Sequence, residues 1–317
     1  MEDKQLAKIF QPIYQERVNA LDMKRMRFAY YTSATTGLNI LRGRELWMRA
    51  AACMNDYREV DYGIQLLNGA IYGSEIRRSR LRELAQSLHW GESMLEDFLA
   101  DLNRNENALV THTYLACISE HTELENERGR LSMWRAYGRK TGVAFVMNVD
   151  AILHPESQLP LRVSPVEYLD RSRFEIGLDW MIAHVERYVH ALQCEQPERL
   201  LKYFHEVLLA SLFSLKHPGF VEEREWRIIY HEELGRLPYD LVSVDGVPQV
   251  VYKMPICAVG EQPPGLPIEK LLDRIIIGPT QYAEVIAQAF VKALEELGVG
   301  DAEARVCMSN IPLRQER

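Results

Sequence analysis

The chain has 317 residues, 47% of them hydrophobic and 26% charged, with no biased tract and a formal net charge of −8. That length can bury a large core, as one elaborated α+β domain or two smaller ones. The acidic balance argues against a dedicated nucleic-acid binder with a broadly basic surface, while leaving room for a local basic groove. Five scattered cysteines (Cys53, Cys117, Cys194, Cys257 and Cys307), odd in number and never in a CxxC pair, read as reduced thiols rather than as a disulfide framework or zinc site. The polar start MEDKQLAKIF does not fit a signal peptide, and no apolar run approaches the roughly eighteen residues of a membrane span. A cytoplasmic protein without membrane contact is expected.

Residues 1 to about 25 carry Leu6, Ile9, Phe10, Ile13 and Tyr14 at helical spacing and form a helical lead, with Pro12 marking a break. RFAYYTS at 27–33 is rich in aromatic and β-branched residues and predicts a strand. Thr36 is expected to cap the following helix, GLNILRG, which stops at Gly43. A short strand at 46–49 and a turn at Asn55-Asp56 precede a helix from Tyr57. Asp56 and Glu59 stand at capping-box spacing. Residues 57–105 are helical by pattern, and ALVTHTYLACIS at 108–119 predicts a central strand. HTELENERGR is a charged loop, LSMWRAYGRK a short helical turn with Ser132 at its start, and TGVAFVMNVD a buried strand. LRVSPVEYL at 161–169 reads as a strand whose Pro165 implies an edge or bulge. Residues 172–215 are helical again. VPQVVYKMP and LLDRIIIGP are strands, TQYAEVIAQAFVKALEELG is an amphipathic helix, and ARVCMSNIPLR closes the chain as a strand and tail.

Strands at both ends with helical blocks between them suit α+β rather than alternating α/β. The expectation is a lead at 1–25 and a single α+β domain at 26–317. Its central sheet is mixed or antiparallel, with helical insertions at about 57–105 and 172–215.

The densest chemistry lies at 216–230, KHPGFVEEREWRIIY, with three glutamates, two arginines, a tryptophan and a lysine. Read with period two from Val221, the residues Glu223, Glu225 and Arg227 share one strand face. Such a row can grip a ligand or do acid/base work, and an exposed edge strand guarded by charge has the same composition. Tyr30, Tyr31, Thr32 and Ser33 put hydroxyls on both faces of a strand just before a helix, where side-chain oxygens and N-terminal amides can hold a polar ligand. Trp134 and Tyr137, three apart, share a helical face that offers a planar surface or simply packs the core. The nine histidines are dispersed, HExxH is absent, and there is no P-loop, GxSxG or GxGxxG. No metal is predicted.

Taken in order, YYTS, LNIL, LWM, MNDYRE, CISE, LSMWRAYG, GVAFVM, KHPGFVEEREWRII, IIIGP and SNIPLR resemble the bacterial family designated domain of unknown function 2971. In that family a histidine or arginine often precedes the tyrosine of the first strand, where this chain has Tyr30. A second similarity is to ADP-ribosyltransferases. It implies NAD as substrate, with Glu225 as the catalytic carboxylate and Glu223 as its Glu-x-Glu partner. It further implies Lys216 and Arg227 on phosphate, and a pocket lined by Tyr31, Thr32, Ser33, Trp134 and Tyr137. A role in phage defence or as a toxin, with a protein or nucleic-acid target, follows from the same similarity. The alternatives are a metal-dependent nuclease or phosphodiesterase, which needs a third carboxylate such as Asp56 or Glu59 beside Glu223 and Glu225, and a non-enzymatic sensor or partner-binding module.

Overall fold

Hydrophobic alternation and helical periodicity resolve into thirteen strands and fourteen α-helices among the residues that the computed structural model describes: 1–22, 25–54, 58–91, 93–138, 140–154, 159–244, 246–261 and 265–312. In chain order these begin with α1 (Asp3–Phe10), α2 (Pro12–Ala20), β1 (Arg27–Ser33), α3 (Ala34–Gly43), β2 (Glu45–Ala50), α4 (Arg58–Tyr72), α5 (Glu75–Ser87), α6 (Met94–Arg104), α7 (Glu106–His112) and β3 (Thr113–His121). They continue with α8 (Leu131–Tyr137), β4 (Gly142–Asn148), α9 (Val149–Leu153), β5 (Arg162–Pro165), β6 (Glu167–Tyr168), α10 (Arg171–Glu186), α11 (Val189–Leu192), α12 (Pro197–Leu212) and β7 (Leu215–Lys216). The last are β8 (Glu225–His231), β9 (Tyr239–Val244), β10 (Val247–Cys257), β11 (Leu266–Pro267), α13 (Ile268–Leu271), β12 (Leu272–Ile277), α14 (Ala283–Glu296) and β13 (Val306–Met308). The fold class is α+β, as the sequence pattern predicts. No helix among the described residues is long and apolar enough to cross a membrane.

The chain forms two compact units. The first holds 1–20, 51–113 and 164–221; the second holds 21–50, 114–163 and 222–317. The helical blocks expected at 57–105 and 172–215 lie in the first unit. Pro12 lacks the amide proton that would continue α1, so α2 starts at that residue. The core of this unit joins Leu6, Ile9 and Phe10 of the lead to Leu88, Val185, Leu192 and Leu200, with Tyr203 and Phe204 packed against them. Buried Arg77 of α5 grips Asp179 of α10 with Nε and Nη2, both at 2.8 Å. A bidentate pair of this kind fixes orientation as well as distance.

The second unit is built on one mixed, mostly antiparallel sheet with the strand order β11-β10-β2-β3-β1-β4-β12-β13; β8 pairs with β3, and β9 with β10. β1 runs antiparallel between β3 and β4, with Ala29 opposite Ser119 and Val146. The apolar strand β4 is buried from Gly142 to Met147. On β4, α3 approaches so closely that a Cβ at Gly37 would stand 2.7 Å from Val143, and Phe290 of α14 meets Phe145 edge to face at 6.2 Å. Burying such a phenylalanine contributes about 2–3 kcal/mol.

Several boundaries differ from the sequence reading. The cap of α3 is Ser33, whose Oγ accepts from the Thr36 amide at 3.2 Å, and the helix begins at Ala34 rather than after Thr36. Residues 108–112 finish α7, so the strand starts only at Thr113. Around Pro165 the single expected strand splits into β5 and β6, which enter different sheets. α8 begins at Leu131 with Arg130 at the cap position, and Ser132 Oγ is buried without a hydrogen-bond partner. β9 lies within a segment where only VPQVVYKMP had strand character. The Asn55-Asp56 turn and Tyr57 fall outside the described residues, and Glu59 stands in the first turn of α4.

Candidate functional site

The charged stretch at 216–230 is not one strand. Lys216 ends β7 in the first unit, a 3₁₀ segment covers Pro218–Glu223, and β8 begins only at Glu225, in the second unit. Between them Arg224 takes φ of +44°, the left-handed region that costs a residue with a Cβ roughly 1–2 kcal/mol. The period-two row from Val221 is therefore broken: Glu223 lies in the turn and does not share a strand face with Glu225 and Arg227.

Glu225 and Arg227 do share a face, and it is an interior one. All residues from Glu225 to Tyr230 are buried, with Glu225 5% and Arg227 2% exposed, so β8 is not a charge-guarded edge. Arg227 Nε donates to Glu225 Oε1 at 2.8 Å and Nη2 to Oε2 at 3.4 Å. On the other face Trp226 packs on Phe28, ring centres 5.2 Å apart, and its indole nitrogen donates to Glu120 Oε1 at 2.9 Å.

What holds the start of β8 in place is Arg130, a residue that composition alone places in a charged loop. Its Nε donates to Glu125 Oε1 at 2.8 Å, Nη1 to the carbonyls of Glu222 and Glu223 at 3.0 Å each, and Nη2 to the carbonyl of Glu120 at 2.5 Å. The Glu120 amide donates in turn to the Arg224 carbonyl at 2.8 Å. One planar fork thus ties the end of β3 to the turn that launches β8. Glu125 also accepts from Arg224 Nη2 at 2.6 Å and from the Thr122 amide at 2.8 Å. Burial pushes the Glu125 carboxyl up, but the Arg130 and Thr122 hydrogen bonds and the charges of Arg130 and Arg224 outweigh it and hold it below the usual range. His121 is 1% exposed, with Nε2 3.0 Å from Asn126 Oδ1 and Nδ1 without a partner. Desolvation keeps its imidazole neutral to lower pH than usual, against the pull of Glu125.

Trp134 and Tyr31 belong to the same knot. The Tyr31 ring meets the Trp134 indole edge to face at 4.8 Å, its hydroxyl accepts the Arg130 amide at 2.9 Å, and Trp134 Nε1 donates to the Arg128 carbonyl at 2.8 Å. Burial raises the Tyr31 hydroxyl to about 12. Glycine backbone seals the indole: a Cβ would stand 2.6 Å from it at Gly129 (φ +68°) and 2.9 Å at Gly278. Trp134 therefore fills a core slot and presents no open stacking face. Tyr137 is half-buried against the same cluster, and Thr32 and Ser33 are half-buried at the end of β1. Tyr30, on the opposite face from Tyr31, lines a small apolar cavity with Ile40, Phe145 and Met254; burial raises its hydroxyl, too, to about 12. Lys216 is 4% exposed, with Nζ 4.8 Å from the centre of the Phe220 ring.

Tyr31, Trp134, Arg130 and the turn before Glu225 are thus brought together, and Glu225 and Arg227 form a pair. Thr32 and Ser33 follow Tyr31 along β1, and Tyr137 packs against the Tyr31–Trp134 cluster. The residues that sequence reasoning missed are Glu120, His121, Glu125, Arg130 and Arg224. One signal was legible: Thr122-x-x-Glu125 has capping-box spacing, and both halves of that box are formed. Among the described residues no group of three or more His, Cys, Asp or Glu side chains could hold a metal ion.

No curated protein and no solved structure matches the chain. Residues 133–228, running from the helix that carries Trp134 to the strand that carries Glu225 and Arg227, match the family model described as "Protein of unknown function (DUF2971)". The likeness read from the ordered blocks holds over that segment, and it is to the DUF2971 family that the chain is similar.

Proposed function

We propose that the chain binds a nucleotide and acts on NAD as an ADP-ribosyltransferase-like enzyme of bacterial defence or toxin biology, with Glu225 as the working carboxylate. One observation carries this reading: a carboxylate and a guanidinium are kept buried two residues apart on one strand face. Taking both charges out of water costs several kcal/mol per ion, about as much as their attraction returns, so apolar residues of the same volume would serve stability as well. A buried, strongly interacting ion pair is therefore a candidate for chemistry.

In this reading the nucleotide phosphate takes over the Arg227 guanidinium by bidentate hydrogen bonding. Release of Glu225 then lets its carboxylate accept from a ribose hydroxyl and stabilise the oxocarbenium-like centre as the nicotinamide leaves. Tyr31 and Trp134 act as positioning residues through Arg130, whose contacts fix the turn before Glu225. Glu223 contributes its main-chain carbonyl to that turn. Incubation with NAD labelled in the adenylate, plus cell lysate, tests the reading. Wild type should transfer label or consume NAD, and Glu225→Gln, folded as judged by circular dichroism, should do neither. Equal rates, or no NAD loss with either protein, overturn it.

A further inference from the structure

The first unit carries a surface that the proposed chemistry does not use. Along α10 and just past its end, Ile176, Trp180, His184 and Tyr188 recur every fourth residue, which stacks them as one ridge on one helix face. The helix buries Ile182 and Val185 on its other side, yet Ile176 is 67% exposed, Trp180 42% and Tyr188 41%. A helix that is apolar on two sides and covered on one has a face left for a partner. The ridge is ordered in advance: the His184 ring lies nearly parallel to Trp180 (21°, centres 5.2 Å apart), Tyr188 follows 5.2 Å further, and His184 Nε2 donates to the Lys8 carbonyl at 3.3 Å. Gly177, between Ile176 and Trp180, has nothing within 4 Å of where a Cβ would be, leaving a notch beside the ridge.

Charge defines what fits. The three carboxylates of α10 are already engaged within the unit: Glu175 with Arg171, Asp179 with Arg77 and Glu186 with Arg80, each at 2.8 Å. Arg173, one turn before Ile176, and Arg187, one turn after His184, are exposed and fall on the ridge face, and among the described residues neither guanidinium has a carboxylate partner. At 1.5 Å per residue the two arginines stand about 21 Å apart along the axis, with the apolar ridge between them.

From this arrangement we infer that α10 is a docking surface for an acidic amphipathic helix of another protein. The partner's apolar stripe packs on the ridge, ridges into grooves, with carboxylates near both ends meeting Arg173 and Arg187. Single-stranded nucleic acid fits less well. Its phosphates call for cations along the whole track, whereas here they stand only at the ends and the most exposed ridge residue is the aliphatic Ile176.

Fluorescence anisotropy on the full chain tests the inference. The probe is a fluorescein-labelled synthetic helix of about 18 residues, ~27 Å long, with a leucine stripe and glutamates at both ends. Saturable binding is expected, weakened at least tenfold by Trp180→Ser and by the Arg173→Glu/Arg187→Glu pair. Val285→Ser, at an exposed apolar site on α14, should leave it unchanged. Circular dichroism and unfolding midpoints confirm that the variants are folded. Four results would overturn the inference: no binding of the acidic peptide; equal binding of a lysine-for-glutamate peptide; binding of labelled oligothymidylate instead; or a sedimentation profile showing that the chain dimerises through this face, with Ile176→Asp restoring the monomer.

Discussion

The start of β8 and the outer face of α10 break the ordinary rule of protein surfaces in opposite directions. At β8, charge is buried: Glu225 and Arg227 face each other inside the second unit. At α10, large apolar side chains are exposed on the first unit. Buried polar groups and contiguous exposed apolar groups are the two observations that core formation alone does not explain. The difference is instructive in energetic terms. Disturbing β8 should show in stability whatever its chemistry, because an unpaired buried charge is costly; disturbing α10 should show only when a partner is present.

The largest effect should come from splitting the buried pair. Arg227→Met removes the guanidinium that grips the buried Glu225 carboxylate and should cost about 3–5 kcal/mol in chemical denaturation. The double variant Glu225→Leu/Arg227→Met should recover most of that loss, and a double variant no more stable than Arg227→Met would show that the pair does not act as a unit. Next is Gly129→Ala, which asks for left-handed backbone and puts a Cβ 2.6 Å from the Trp134 indole. Strain and overpacking together should cost about 2–4 kcal/mol, read as a lower unfolding midpoint.

A smaller, pH-dependent effect belongs to His121 and His205, whose folded pKa values lie below the ordinary 6.5, mainly through desolvation. Between the folded pKa and 6.5 the unfolded chain binds more protons, so stability is fully present above 6.5 and is lost as pH falls below it. Thermal unfolding across that window should show the decline, and His121→Gln should flatten it in part; an unchanged slope would remove His121 from the account. The smallest effect belongs to the exposed ridge of α10. Ile176→Asp, at a position 67% exposed, should alter stability by no more than about 0.5 kcal/mol, because most of the side chain already lies in solvent. A larger loss would mean that the ridge is part of the core.

Much of the framework was legible in the sequence. RFAYYTS is β1 from Arg27 to Ser33, Pro12 divides the lead, and the alanine- and leucine-rich periodicity near the end of the chain is α14. The site was legible in part. The pattern marks Glu225 and Arg227, but it also puts Glu223 on their strand, because a period of two fits GFVEE as well as it fits EWRII. What decides between them is the left-handed Arg224 and the Arg130 fork, which reaches across more than ninety residues to the carbonyls of Glu222 and Glu223. Local pattern carries no information about such a partner. Ser33 and Thr36 are both good cap residues, and the backbone chose the earlier one. Trp134 and Tyr137 at i, i+3 favour the core without excluding a ligand, and the close approach of Gly129 and Gly278 decides for core in the case of Trp134. The exposed ridge on α10 was hidden for a related reason. Its sequence is apolar on both sides, and which side is covered depends on α1, α4 and α5.

If Glu225 and Arg227 are kept for a nucleotide, as proposed, rather than for stability, removing their charges should abolish binding without unfolding the chain. The Glu225→Leu/Arg227→Met double variant separates the two, since it removes the charges while leaving the volume filled. Equilibrium dialysis of radiolabelled NAD should show retention by the wild-type chain and none by a double variant of equal or greater unfolding free energy. Equal retention by both proteins, or none by the wild type, would mean that the buried pair does not serve a nucleotide.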